Sequence, residues 1–277
     1  MIRKPVVAGH FYEGRKDALM EEIRACFEKG PGMVDEVRIG RGNIKGMVVP
    51  HAGYIYSGWV AAYAYHALAE DGFPDKVIIL GPNHHGYGAS VAIMSSGEWE
   101  TPLGRVKIAE DAVKLRRGII EEDVIAHRYE HSIEVQLPFL QFLRGDFEFV
   151  PVCFSWQDLE TAMEAGGILS DMEDAVIIAS SDFSHVNFSR VPTRQDVEEN
   201  VAEKDRIAIE EILKINPEGL IEKVEKNNIT MCGYGAVAAM LAAVKKRAKK
   251  GRLLKYATSY DVEPGSYCVG YAAIVIE

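Results

Sequence analysis

The chain has 277 residues, 48% hydrophobic and 26% charged, a balance that suits a soluble globular protein with a sizeable core and excludes the disordered and fibrous classes. Its 31 Lys and Arg stand against 41 Asp and Glu, and the formal charge of -10 argues against nucleic acid and anionic membrane as partners. With no bilayer-length apolar run, no signal-like start and no CxxC among the four cysteines, the expected setting is a reducing, cytoplasmic one.

In chain order, Val- and Ile-rich runs predict a strand over residues 44–50 and helical periodicity a helix over 57–69. A strand follows over 76–80, and WETPLGRVKI, residues 99–108, reads as a hairpin arm because its Pro and Gly punctuate an extended alternation. A helix over 132–143 leads to a strand over 147–154, a helix over 158–170 and a strand over 174–179. Helices over 197–213, 217–225 and 233–246 precede a final strand over 267–276. Ser57 and Asp158 are the expected N-caps, and the basic run KKRAKKGR at 245–252 is expected to be a solvated helix end. Alternating strands and helices with no repeat or linker predict one α/β domain over 1–277, a largely parallel sheet covered by helices.

Three strand-like runs end alike. MVVPHAGY places His51 after a strand, VIILGPNHHG places His84 and His85, and VIIASSDFSH places Asp182 and His185. Ligands bind at the carboxyl ends of parallel strands, so these residues should converge on one crevice. Singly, each histidine reads more easily as a structural residue; together they point to a site. Cys232 lies just before an Ala-rich helix that Gly233 or Gly235 could open, where the helix dipole should lower its thiol pKa. Two imidazoles and one thiolate leave open positions, as at catalytic metal sites, and suit Fe(II), Cu or Zn rather than Mg or Ca. Asp182 and His185 would then orient and move a proton beside the metal. Ser184 next to His185 points away on an extended chain, which argues against a serine hydrolase. In YEHSIEVQLP, residues 129–138, His131 and Glu134 would share one helix face, either holding a ligand near the metal or serving a network of caps. His10, His66 and His127 carry no such signal.

These residues sit in a set of motifs that resembles the Memo family along nearly the whole chain: AGHFY at 8–12, PHAGYIYSG at 50–58, LGPNHH at 80–85, WETPLG at 99–104, EHSIEVQLPFL at 130–140, SSDFSH at 180–185 and MCGYG at 231–235, with VGYAA near the end. The resemblance implies the three-layer α/β/α fold of class III extradiol dioxygenases, with a parallel or mixed central sheet. It makes His51, His84 and Cys232 the metal ligands, places Asp182 and His185 in the same cleft, and matches His185 to the dioxygenases' catalytic histidine. Those enzymes use two histidines and a glutamate; Cys232 in the third position is a soft, oxidisable donor that favours copper or redox chemistry. Glu13 departs from the proline the family commonly carries there. The function implied is that of a metal-dependent, redox-active protein on a substrate not identified. The alternatives are a zinc-dependent hydrolase, or a peptide- or partner-binding protein using His131, Tyr54 and Tyr56. Eukaryotic members resemble redox proteins that bind phosphotyrosine peptides in cell-motility signalling. Prokaryotic members accompany radical-SAM and AMMECR-type proteins, which implies a functional link to them.

Overall fold

The computed structural model describes residues 1–277. At its centre Glu148–Phe154, Lys76–Pro82, Val176–Ser180 and Gly46–Val49 lie side by side in that order, all parallel. Strands buried on both faces need apolar side chains at every position, which is why these segments read as continuous Val and Ile runs. Tyr267–Ile276 adds antiparallel to Gly46–Val49, and Gly251–Thr258 antiparallel to Tyr267–Ile276. Beyond the other end of the parallel block, Gly104–Ile108 pairs with Glu98–Thr101 as the expected hairpin, and Ile2–Arg3 runs beside Glu98–Thr101. The sheet of twelve strands is therefore mixed, with a parallel heart.

Helices flank it. Tyr234–Val244 is apolar all round and almost wholly buried, as a helix without a polar face must be. It lies on the parallel strands, with Leu159–Leu169 and Pro217–Lys226 packed against it. Gly166 permits that packing: a Cβ there would stand 2.6 Å from Ala242 Cβ and 2.7 Å from the Ala239 carbonyl oxygen. Tyr54–Asp71 covers Tyr267–Ile276 and Gly46–Val49, backed by Lys16–Lys29. No helix is long and apolar enough to cross a membrane.

Several expectations are corrected. The second helix starts at Tyr54 with Gly53 as N-cap, and Ser57 Oγ donates back to the Ala52 carbonyl, whereas Asp158 does cap its helix by accepting from Thr161 N–H at 2.8 Å. The expected helix over 132–143 is a 3-10 turn, Glu134–Gln136, running into Leu137–Leu143. The one over 197–213 starts earlier, as a short α-helix Arg194–Val197, and passes through a π-helical stretch Glu198–Ala202 before the α-helix Glu203–Leu213. The last helix ends at Val244, and the basic run leads from it into the strand Gly251–Thr258.

Burial of one imidazole sets a pH dependence. His127 is fully buried against the Trp99 ring, centroids 5.7 Å apart, and neither ring nitrogen has a hydrogen-bond partner. Burial, and secondarily the Arg3 charge, lowers its pKa from 6.5 to about 4. The unfolded chain thus takes up this proton near 6.5 and the folded chain only near 4. The stability is complete above the first value and is lost as pH falls to the second, by about 3 kcal/mol. Denaturant titrations near neutrality and near the lower value should show His127→Phe losing less stability on acidification than the unchanged chain; equal losses would refute this assignment.

Candidate metal centre

The carboxyl ends of the four parallel strands and the amino end of the antiparallel Tyr267–Ile276 share one edge of the sheet. There a cleft of about 630 Å³ is lined by His51, His84, His131, Asp182 and His185, among others. His51 Nε2 stands 3.2 Å from Cys232 Sγ, and the ligand atoms offered by His51, His84 and Cys232 all lie within 4.8 Å of one another. Segments 181 residues apart in sequence thus bring two imidazoles and a thiol to one point.

The hydrogen bonds around the histidines fix which nitrogen is free. Ser180 Oγ gives its single proton to the Ser132 carbonyl at 2.6 Å, so at 3.0 Å it can only accept from His51 Nδ1–H. His84 Nδ1 faces the Glu130 carboxylate at 3.0 Å, and His185 Nδ1 faces the Thr230 carbonyl at 3.0 Å. All three rings therefore carry their proton on Nδ1 when neutral, leaving Nε2 with a lone pair. Burial, reinforced by the neighbouring His131 and His84, pushes the His51 pKa well down, so it stays a neutral donor. Burial acts the same way on His84, but there the Glu130 hydrogen bond and charge outweigh it and the pKa rises. Glu130 is buried too; its bond to His84 and the charges of His84 and His131 nevertheless hold its carboxyl well below the usual range.

Asp182 works chiefly through the backbone: its Oδ1 accepts His51 N–H at 2.8 Å, fixing the turn that presents the imidazole. Burial raises its pKa to about 6, against those backbone bonds. Cys232 contradicts one expectation. Burial, and then the Asp182 charge, pushes its thiol pKa up and outweighs the hydrogen bonds that reach the sulfur. Gly233 N–H goes to Ser181 Oγ at 2.9 Å and Gly235 N–H to Gln157 Oε1 at 2.9 Å; Asp182 N–H alone approaches the sulfur, at 3.3 Å. Gly233 caps the helix and lets it close on the strand end: a Cβ there would stand 2.7 Å from the Ser180 carbonyl oxygen.

Among the other expected site residues, His131 lines the cleft, its ring 4.7 Å from that of His84, and Tyr56 lines it farther out. Glu134 does not face it. Its carboxylate is fully buried and accepts from Arg3, Val6 N–H, Val7 N–H and the Tyr12 hydroxyl, so His131 and Glu134 share no helix face. Tyr54 is buried with its hydroxyl on the Val135 carbonyl, and His85 is exposed with Nε2 on the Tyr129 carbonyl, both outside the cleft lining. Glu130, Ser180 and Thr230, which hold the three imidazoles, carried no spacing signal. All four cysteines are free.

Glu130 offers a direct test. Carboxylates that orient a ligating histidine are worth about 10–100-fold in metal affinity. Competition with a chelator should show Glu130→Gln weakened by about that factor; unchanged affinity would mean that His84 does not bind the ion.

Fold and cleft together define an α/β/α protein with a candidate mononuclear centre at the carboxyl ends of its parallel strands. The Memo-like protein family matches residues 3–275, and the chain belongs to that family. It is 48% identical to a MEMO1 family protein of Methanopyrus kandleri, over 99% of both chains. It is 44% identical to one of Methanothermobacter thermautotrophicus, over 98% of this chain and 99% of that one, and 43% identical to one of Thermotoga neapolitana over the whole of both. Among solved structures, an uncharacterised protein of Escherichia coli K12 matches with a TM-score of 0.51 at 12% identity, covering 84% of this chain and all of that one, a likeness of fold alone.

Proposed function

We propose that His51, His84 and Cys232 hold one transition-metal ion, iron or copper, in a redox-active centre that acts on a small molecule in the cleft. The observation that carries this reading is the meeting of three donors whose free atoms face one point while their other ring nitrogens are tied down. The donor set fits such an ion: a thiolate and two imidazoles suit iron, copper or zinc and disfavour the hard divalent cations. When bound there, a redox-active ion would supply electron exchange with the molecule beside it. The protein's own part is positional. Ser180 and Glu130 aim the two ligating imidazoles, and Asp182 fixes the backbone of His51. His185, with Nδ1–H spent on Thr230, offers Nε2 as a proton acceptor on the same cleft wall.

Elemental analysis of protein made without a chelating tag, followed by oxygen uptake measurements, tests the reading. Near-stoichiometric iron or copper with metal-dependent oxygen uptake is expected. Stoichiometric zinc without redox turnover would instead favour activation of water by zinc as a Lewis acid.

A further inference from the structure

Taking that cleft as the substrate site, we infer that its outer wall selects a small molecule bearing a positively charged nitrogen, such as a primary amine, over an anion of the same shape. No lysine or arginine lines the cleft, whereas Asp182 and Glu263 do. Sites that hold phosphate or carboxylate groups ordinarily use cationic side chains or the free amides of a helix start. One helix does begin here, at Tyr54 behind Ala52 and Gly53, but its entrance already has an anion of its own. Asp182 accepts from His51 N–H, and Tyr54 N–H goes to the Phe11 carbonyl at 2.7 Å.

The outer wall supplies what a cation needs. Glu263 stands in the loop after Thr258, and the Tyr56 hydroxyl donates to its carboxylate at 3.3 Å. Tyr56, Tyr267, Tyr271 and Phe11 line the same cleft, so that it holds a carboxylate and several aromatic rings, Tyr56 in contact with Glu263. That combination attracts an ammonium group through charge and through the negative faces of the rings. An anion at this outer wall would meet the Glu263 carboxylate with no lysine or arginine in the lining to offset it. The charged nitrogen would sit against Glu263 and the tyrosines, with the rest of the molecule reaching inward towards His131 and His185.

The test uses three probes that share a ring and differ in charge: phenethylamine, phenethyl alcohol and phenylacetate. Binding to the full chain is measured by calorimetry after removal of metal, so that a carboxylate cannot gain affinity from the ion, and again on the metal-loaded protein. In the metal-free protein the amine should bind about tenfold more tightly than the acid, with the alcohol between them. Glu263→Gln should bring amine and acid to within about threefold of each other, while its metal affinity stays that of the unchanged chain. An acid that binds as tightly as the amine, no saturable binding of the amine, or a preference that survives Glu263→Gln would each overturn the inference. Metal loading, measured on the same samples, separates this failure from failure of the metal centre.

Discussion

Cys232→Ala is expected to lose metal by more than about 100-fold in affinity while folding as the unchanged chain does. The lower bound follows from the chemistry: groups that merely orient a ligand already contribute about 10–100-fold, and Cys232 would supply one of the three donor atoms of the proposed centre. Its sulfur is also the soft member of the set, so its loss should reduce copper and iron binding more than it reduces binding of harder ions. The folded state should tolerate the change, since alanine removes a single atom and the sulfur makes only the long contacts to Asp182, Ser181 and His51. Chelator competition read by metal analysis, with a thermal melt of metal-free protein alongside, separates the two effects. Full retention of metal by the alanine variant would remove sulfur from the centre.

Glu134→Ala should produce the largest loss of stability, about 3–5 kcal/mol, the usual result of breaking a buried ion pair from one side. The Glu134 carboxylate has no solvent exposure, and Arg3 is 7% exposed. Removing the acid strands a buried guanidinium and leaves the amides of Val6 and Val7 and the Tyr12 hydroxyl without their acceptor, at 2.9, 3.1 and 2.7 Å respectively. Arg3 also lies 4.0 Å over the Trp99 ring and donates to the His127 carbonyl, so the N-terminal segment, the hairpin and the segment before Glu130 are tied at one point. Denaturant midpoints measure the loss. The double variant Arg3→Met with Glu134→Leu should regain part of it, because no charge is then left buried alone. A single-variant loss below about 1 kcal/mol would mean the pair contributes no more than a surface bridge does.

The parts of the fold and site that could be read from the sequence are those set by local pattern. The parallel strands announce themselves because both faces are buried, and His51, His84, Asp182 and His185 follow from where those strands stop. The hairpin at Glu98–Ile108 was legible from its turn residues. Lys16–Lys29 has a helical spacing of buried residues at Leu19, Ile23, Cys26 and Phe27, yet it begins behind Arg15 without a side-chain cap, so its start carries no signal. Gly251–Thr258 emerges from a basic run and pairs only with Tyr267–Ile276, so partly exposed Arg and Lys replace the apolar run of a central strand.

At the site, position was readable and environment was not. The place of Cys232 at a helix start was evident, but not its burial beside the Asp182 carboxylate, which reverses the expected direction of its thiol pKa, nor that side chains take the amides of Gly233 and Gly235. Ser180, Glu130 and Thr230 act on histidines 129, 46 and 45 residues away, and no short-range pattern encodes such pairings. Glu134 shares the motif of His131, but its partners come from the chain start, which turns it away from the cleft.

The most direct measurement is a crystal structure of the metal-loaded protein with anomalous data collected on both sides of the iron, copper and zinc edges. It should show one ion, iron or copper, bonded to His51 Nε2, His84 Nε2 and Cys232 Sγ at about 2.0–2.3 Å. An ion held elsewhere, such as between Glu130 and His131, or a Cys232 sulfur left outside the coordination sphere, would contradict the centre proposed for this chain.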